Sequence, residues 1–182
     1  MKKFAFITIT FLALGMISCT EESTDVEAEK KAIIDLINAE TDAYMNFDFD
    51  KVTSFYVKDS LNFRLTTGAD NHVFLEGWDQ VEDFFRDELI NSNPNTPDNT
   101  HISVEKNDYR IKVFTDAAYV ICTETWTYKM PDDTIQINSR QVRFLEKVDG
   151  EWKISFLSFI GTSGYEEEEA LEEMGVDFNS VS

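Results

Sequence analysis

The sequence predicts an α+β domain, and two observations carry that prediction. Apolar residues recur at helical spacing in three segments between Val26 and Leu89, then at strand alternation from Ile102 to Ile160. The period changes across Asn91-Ser92-Asn93-Pro94-Asn95-Thr96-Pro97, a run of turn formers and helix breakers. Helices first and antiparallel strands afterwards make one curved sheet wrapped over a long helix the arrangement that buries every apolar face.

Each element follows from its own pattern. Thr24-x-x-Glu27 reads as a capping box, and Ile33, Ile34, Ile37, Tyr44 and Met45 continue a helical stripe behind it. Asn46-Phe47-Asp48 interrupts the stripe, and Asp50 is placed to cap a short second helix with Val52, Phe55 and Tyr56. Leu61 to Thr66 alternates like a strand, Gly68 to Asn71 reads as a turn, and Val73 to Leu75 returns as a second strand. Gly77 precedes a third amphipathic helix with Trp78, Val81, Phe84, Phe85 and Leu89 inward. Among the long strands, Ile102 to Phe114 changes face at Lys106-Asn107-Asp108, the mark of a bulge. Thr115-Asp116, Pro131-Asp132-Asp133 and Asp149-Gly150 are the turns that follow. Trp78, Trp126 and Trp152 read as core anchors.

Two charges interrupt apolar strand faces. Glu124 shares a face with Ala118, Val120, Cys122 and Trp126, and Arg140 alternates with Val142, Phe144 and Val148. The turn at Asp132-Asp133 brings residue 124 opposite residue 140 or 141. A buried charge is costly unless paired, so a Glu124–Arg140 pair facing the interior is one solution; the other is a flared sheet whose rim leaves both in water.

The beginning of the chain has a different character. Lys2 and Lys3 precede an apolar run, Phe4 to Ile17, too short to span a bilayer comfortably. It ends in Gly15-Met16-Ile17-Ser18-Cys19, which resembles the lipobox of bacterial lipoproteins. The resemblance implies cleavage before Cys19 and acylation of its thiol. Each buried methylene of an acyl chain contributes about 0.8 kcal/mol, so several chains anchor a protein with no transmembrane helix. Thr20 behind the cysteine, with Glu21 and Glu22 after it, is similar to outer-membrane and surface-exported lipoproteins of Bacteroidetes. The predicted layout is a signal peptide at 1–18, a tether at 19–25, a domain at 26–162 and an acidic tail at 163–182, on the cell envelope.

Composition narrows the partners. The net charge is −19, and the signal segment carries two lysines and no acid, so the mature chain is more acidic still. Such a surface repels phosphate backbones, which argues against nucleic acid, and it disfavours anionic lipid apart from the covalent anchor. His72 and His101 are the only histidines, with no Cys-x-x-Cys and no glycine-rich phosphate loop. No metal and no cofactor is expected.

The segments "NFDFDKVTSFY", "EGWDQVEDFF", "TDAAYVICTETW" and "RFLEKVDGEWKISF", with the hairpin Lys147-x-Asp149-Gly150-x-Trp152-Lys153-Ile154, resemble the SnoaL-like and nuclear-transport-factor-2-like superfamily over residues 25 to 162. The resemblance implies a cone-shaped, cystatin-like fold with a pocket between sheet and first helix. Some members are enzymes, such as ketosteroid isomerase, scytalone dehydratase and polyketide cyclases; others only bind. Ser158 stands where many relatives carry a histidine. The expected function is therefore binding of a small ligand or a partner protein without catalysis, with Glu124, Arg140, Trp126 and Tyr44 at the site. The alternative is a hydrolase, isomerase or cyclase with Glu124 as general base. Superfamily members also dimerise through the open sheet face, for which Tyr119, Ile121, Leu157 and Phe159 are the expected apolar patch.

Overall fold

The computed structural model describes residues 25–68, 72–91 and 101–161. The expected signal segment, Cys19, most of the expected tether, residues 92–100 and the acidic residues expected to form a tail lie outside these residues.

Helix α1, Val26–Met45, is capped by Asp25, whose carboxylate accepts from the amides of Glu27 and Ala28; the cap is thus one residue later than a Thr24 box would place it. Phe47, at φ 55°, breaks the chain out of α1. Helix α2, Phe49–Ser54, is capped by Asp48 through the amide of Lys51, and Asp50 lies inside its first turn. Helix α3, Trp78–Arg86, starts from Gly77 at φ 82° and widens into a π turn over Asp87–Asn91 that still buries Leu89.

Six strands follow the order β2-β1-β6-β5-β4-β3, where β1 is Phe63–Thr67, β2 His72–Glu76, β3 Ile102–Val113, β4 Ala117–Lys129, β5 Thr134–Val148 and β6 Glu151–Gly161. Among the strand pairs of the described residues, only β1–β6 is parallel. His72 opens β2, one residue ahead of the Val73 start that the sequence pattern predicts. The β5–β6 connection is two residues, Asp149 and Gly150, at φ 53° and 84°, the left-handed pair that a tight hairpin requires.

Ile33 and Ile37 of α1 pack with Val52, Tyr56, Val81, Phe85, Val120, Leu145, Ile154 and Leu157 into one core under the concave face. Two polar clasps hold the layers together. Glu29 accepts from Lys147 Nζ and from Trp152 Nε1, both at 2.6 Å, fastening the start of α1 to the β5–β6 hairpin. Asn62 Nδ2 donates to the carbonyls of Val57 and Ile154, seating the entry to β1 against β6.

Two bulges set which side chains point inward. The β3–β4 register shifts between Asn107 and Arg110, with Asp108 at φ 54°, as the face change at Lys106-Asn107-Asp108 predicts. The β5–β6 register also shifts, so that Phe144 faces Phe156 while Leu145 faces Ile154 and Ser155 is the extra residue. Past Ser155 the parity of β6 is reversed. Leu157 is fully buried and Phe159 packs against the core, so neither belongs to the outer sheet face expected for them. That face carries Tyr119, Ile121, Phe144, Phe156 and Ile160 instead.

Candidate functional site

A cavity of about 560 Å³ opens between α1, α3 and the concave side of the sheet. Its walls are mostly apolar and aromatic, with Tyr44, Phe84, Trp126, Tyr128, Ile137 and Phe159 contributing. Tyr44 and Trp126 meet edge to face at 6.4 Å, and Trp126 stacks on Tyr128 at 6.3 Å. Burial, reinforced by the charge of Glu88 at the rim, pushes the Tyr44 hydroxyl up to about 12.

Glu124 points into this cavity and is almost fully buried, as its strand face predicts. Its partner is not Arg140. On β5 the residue opposite Glu124 is Ser139, and Arg140 stands opposite Thr123 with its side chain exposed on the outer face. The inward residues of β5 run from Ile137 on the cavity wall through the buried Ser139, Gln141, Arg143 and Leu145. The apolar Val142, Phe144 and Val148 that suggested the opposite parity belong to the outer face, which is itself partly apolar.

Glu124 is paired with Lys106 of β3, Nζ to Oε2 at 3.0 Å, with side chains only 4% and 2% exposed. The indole of Trp126 donates to the other carboxylate oxygen at 2.6 Å, and Lys106 also donates to Thr41 at 2.5 Å. A second buried pair lies deeper. Arg143 Nη2 is 3.3 Å from Glu40 Oε2, the Tyr56 hydroxyl donates to Glu40 Oε1 at 2.8 Å, and Arg143 Nη1 donates to Gln141. Burial alone would favour loss of the proton from Arg143, but Glu40, helped by further groups, carries it above its ordinary value. The Tyr56 hydroxyl is pushed well up by burial first and by Glu40 second.

Arg64 of β1 is a third buried cation, and it lines the cavity. It is 92% buried in a box of three phenylalanines, its guanidinium carbon 4.7 Å from the rings of Phe84 and Phe159 and 5.5 Å from Phe85.

Of the four predicted site residues, then, Glu124, Trp126 and Tyr44 line one cavity and Arg140 is excluded from it. Sequence reasoning missed Lys106, Glu40, Arg143 and Arg64. Ser158 does not line the cavity, because the Ser155 bulge turns it to the other face. His72 and His101 are exposed. Cys122 is a free, buried thiol, its pKa raised by burial. Among the described residues, no three His, Cys, Asp or Glu side chains converge as a metal site.

A helix-first cone with a pocket on its concave face is the frame that the family comparison matches. Residues 33–160 fit the model of the SnoaL-like domain. The chain belongs to the SnoaL-like domain family. Solved structures place this SnoaL-like domain in the cystatin-like, NTF2-like fold. An NTF2-like protein with a cystatin-like fold from Novosphingobium aromaticivorans is 12% identical, with TM-score 0.57 over 84% of this chain and 97% of that one. A putative scytalone dehydratase from the same organism is 15% identical, with TM-score 0.58 over 75% and 86%. The association domain of C. elegans CaMKII is 16% identical, with TM-score 0.57 over 74% and 96%. At these identities the likeness is one of fold. No curated protein matches in sequence.

Proposed function

We propose that this SnoaL-like domain binds a small, largely apolar molecule in its cone cavity and does not transform it, and that Cys19 tethers it to the cell envelope by acyl chains. The supporting observation is the state of the two buried carboxylates of the cavity, Glu124 and Glu40. Glu124 and Glu40 each have one oxygen against a cation and the other accepting from a hydroxyl or an indole. A general base needs an acceptor site turned toward the proton it removes, and here both oxygens of each carboxylate are engaged by donors of the wall itself. Both carboxylates are instead parts of the wall, and the aromatic surface around them is a binding surface. The reading of Glu124 as a catalytic base loses its main support with the discovery of Lys106 beside it.

The test uses a soluble chain beginning at Thr20, which keeps every described residue, and the apolar fluorophore N-phenyl-1-naphthylamine. The fluorophore is expected to bind saturably at one site. Thr66→Trp places an indole on the cavity wall and should abolish that binding while leaving the melting temperature close to wild type. Equal binding by the two proteins would place the fluorophore elsewhere and refute the reading.

A further inference from the structure

Among the described residues, the buried cations and anions around the cavity do not balance. Lys106 is matched by Glu124 and Arg143 by Glu40. Among the described residues Arg64 has no carboxylate within 4.0 Å and donates no side-chain hydrogen bond; its Nε is buried with nothing to donate to. Glu88, the other acid on the wall, is exposed at the rim and engages Tyr44. The buried groups thus carry one surplus positive charge, inside a protein whose net charge is −19. The ring faces of Phe84, Phe85 and Phe159 stabilise the guanidinium's charge but give its buried Nε no oxygen to donate to. A buried donor left unsatisfied is unfavourable, and a buried charge more so. Ser139 adds a second vacancy of the same kind: it lines the cavity, it is 92% buried, and its hydroxyl has no partner.

We propose that Arg64 is the anchor for the anionic head of the ligand, and that the ligand is a monoanion with an apolar body, an aryl or alkyl carboxylate. The proposal rests on the reading of the cavity as a binding site and adds its polarity. A planar guanidinium matches a carboxylate in a two-pronged contact. The aromatic walls take the ring or chain behind it. The buried, largely aromatic surroundings strengthen the ion pair relative to one at the surface. Lys106 and Arg143 are already neutralised, so a single negative charge completes the balance and a second would find no partner.

The fluorophore again reports occupancy of the cavity in the chain from Thr20 onward, and two competitors of one shape test the anion site: 2-naphthoate and its neutral amide, 2-naphthamide. The naphthoate is expected to displace the fluorophore at a concentration at least about tenfold lower than the amide, as a charge-assisted contact in a buried site implies. In Arg64→Met that difference should vanish while the fluorophore still binds. In Arg64→Lys, which keeps the charge and loses the fork, part of the difference should remain. Acid and amide competing equally in wild type would overturn the anion proposal and leave the apolar pocket standing. No saturable fluorophore binding by wild type would overturn the pocket and the proposal with it. Should Arg64→Met fail to fold, the wild-type comparison and Arg64→Lys decide the matter.

Discussion

Replacing Lys106 by methionine leaves the carboxylate of Glu124 in the cavity wall without its cation. Wild type holds the pair at 3.0 Å, with both side chains at least 96% shielded, and each member has one further neutral partner, Thr41 or Trp126. Those partners satisfy hydrogen-bonding capacity but not charge. Breaking a buried pair by removing one member costs about 3–5 kcal/mol, because the surviving charge is stranded. For a domain of this size, 1 kcal/mol corresponds to about 4 °C, so Lys106→Met should lower Tm by about 12–20 °C. Glu124→Gln strands the ammonium instead and should fall in the same range. The double variant removes both charges and should recover most of the loss. Thermal and urea unfolding of the four proteins gives the cycle, and repeating it at high salt tests burial, since a shielded pair is little screened. Small, additive losses that shrink further in salt would mean that both side chains are solvated, and the argument that Glu124 is held as a wall rather than free as a base would fail.

Three further outcomes follow from other parts of the molecule. Cys19→Ala should release the full-length chain from the membrane fraction and abolish labelling by a fatty-acid analogue; sedimentation of the variant with membranes, with no label on wild type, would contradict the anchor. The hydrogen bond from Lys147 holds Glu29 below its usual 4.5, against the opposing effect of burial, with Trp152 adding to the lowering. A carboxyl depressed in the folded state contributes stability that is present above its unfolded pKa and is lost as pH falls through the folded value. Urea unfolding from pH 6 down to 3 should therefore show a steeper loss in wild type than in Glu29→Gln, and parallel curves would remove the clasp from the account. The outer sheet face exposes Tyr119, Phe144 and Ile160, each more than a third accessible, and homodimerisation through it predicts that Phe144→Asp converts a dimer to a monomer by light scattering; an unchanged mass would exclude this face.

The fold was legible because its signals are periodic and local. Helical spacing, the breaker-rich loop and the turns at Thr115-Asp116, Pro131-Asp133 and Asp149-Gly150 each mark an element independently of the rest. The site was legible only where a charge interrupted a clean alternation, which is why Glu124 stood out on β4. Arg140 was misplaced because the outer face of β5 is as apolar as the inner one: Val142 and Phe144 outside compete with Leu145 inside, and hydrophobicity cannot tell which side is the core. Leu157 and Phe159 were misplaced because one extra residue, Ser155, reverses the parity of all that follows it. Lys106 was read as part of a kink, although it alternates with Ile102 and Val104 before the bulge. Glu40 had a usable signal. It lies three residues after Ile37 and four before Tyr44, on the apolar stripe of α1. Arg64 had a weaker one: the alternation of Phe63 and Leu65 says only that Arg64 points the other way, and the sheet order that makes that way the cavity comes from the parallel pairing with β6, which local pattern does not reveal.

The cavity can be interrogated directly through its tryptophans. Trp126 lines it, whereas Trp78 and Trp152 are buried in the core away from it. In a ¹⁵N-labelled chain beginning at Thr20, the three indole N–H resonances can be followed while N-phenyl-1-naphthylamine is added. The account predicts that the Trp126 resonance shifts saturably and that those of Trp78 and Trp152 stay in place. A titration in which Trp126 does not move, or in which all three move together, would contradict a ligand bound in the cone.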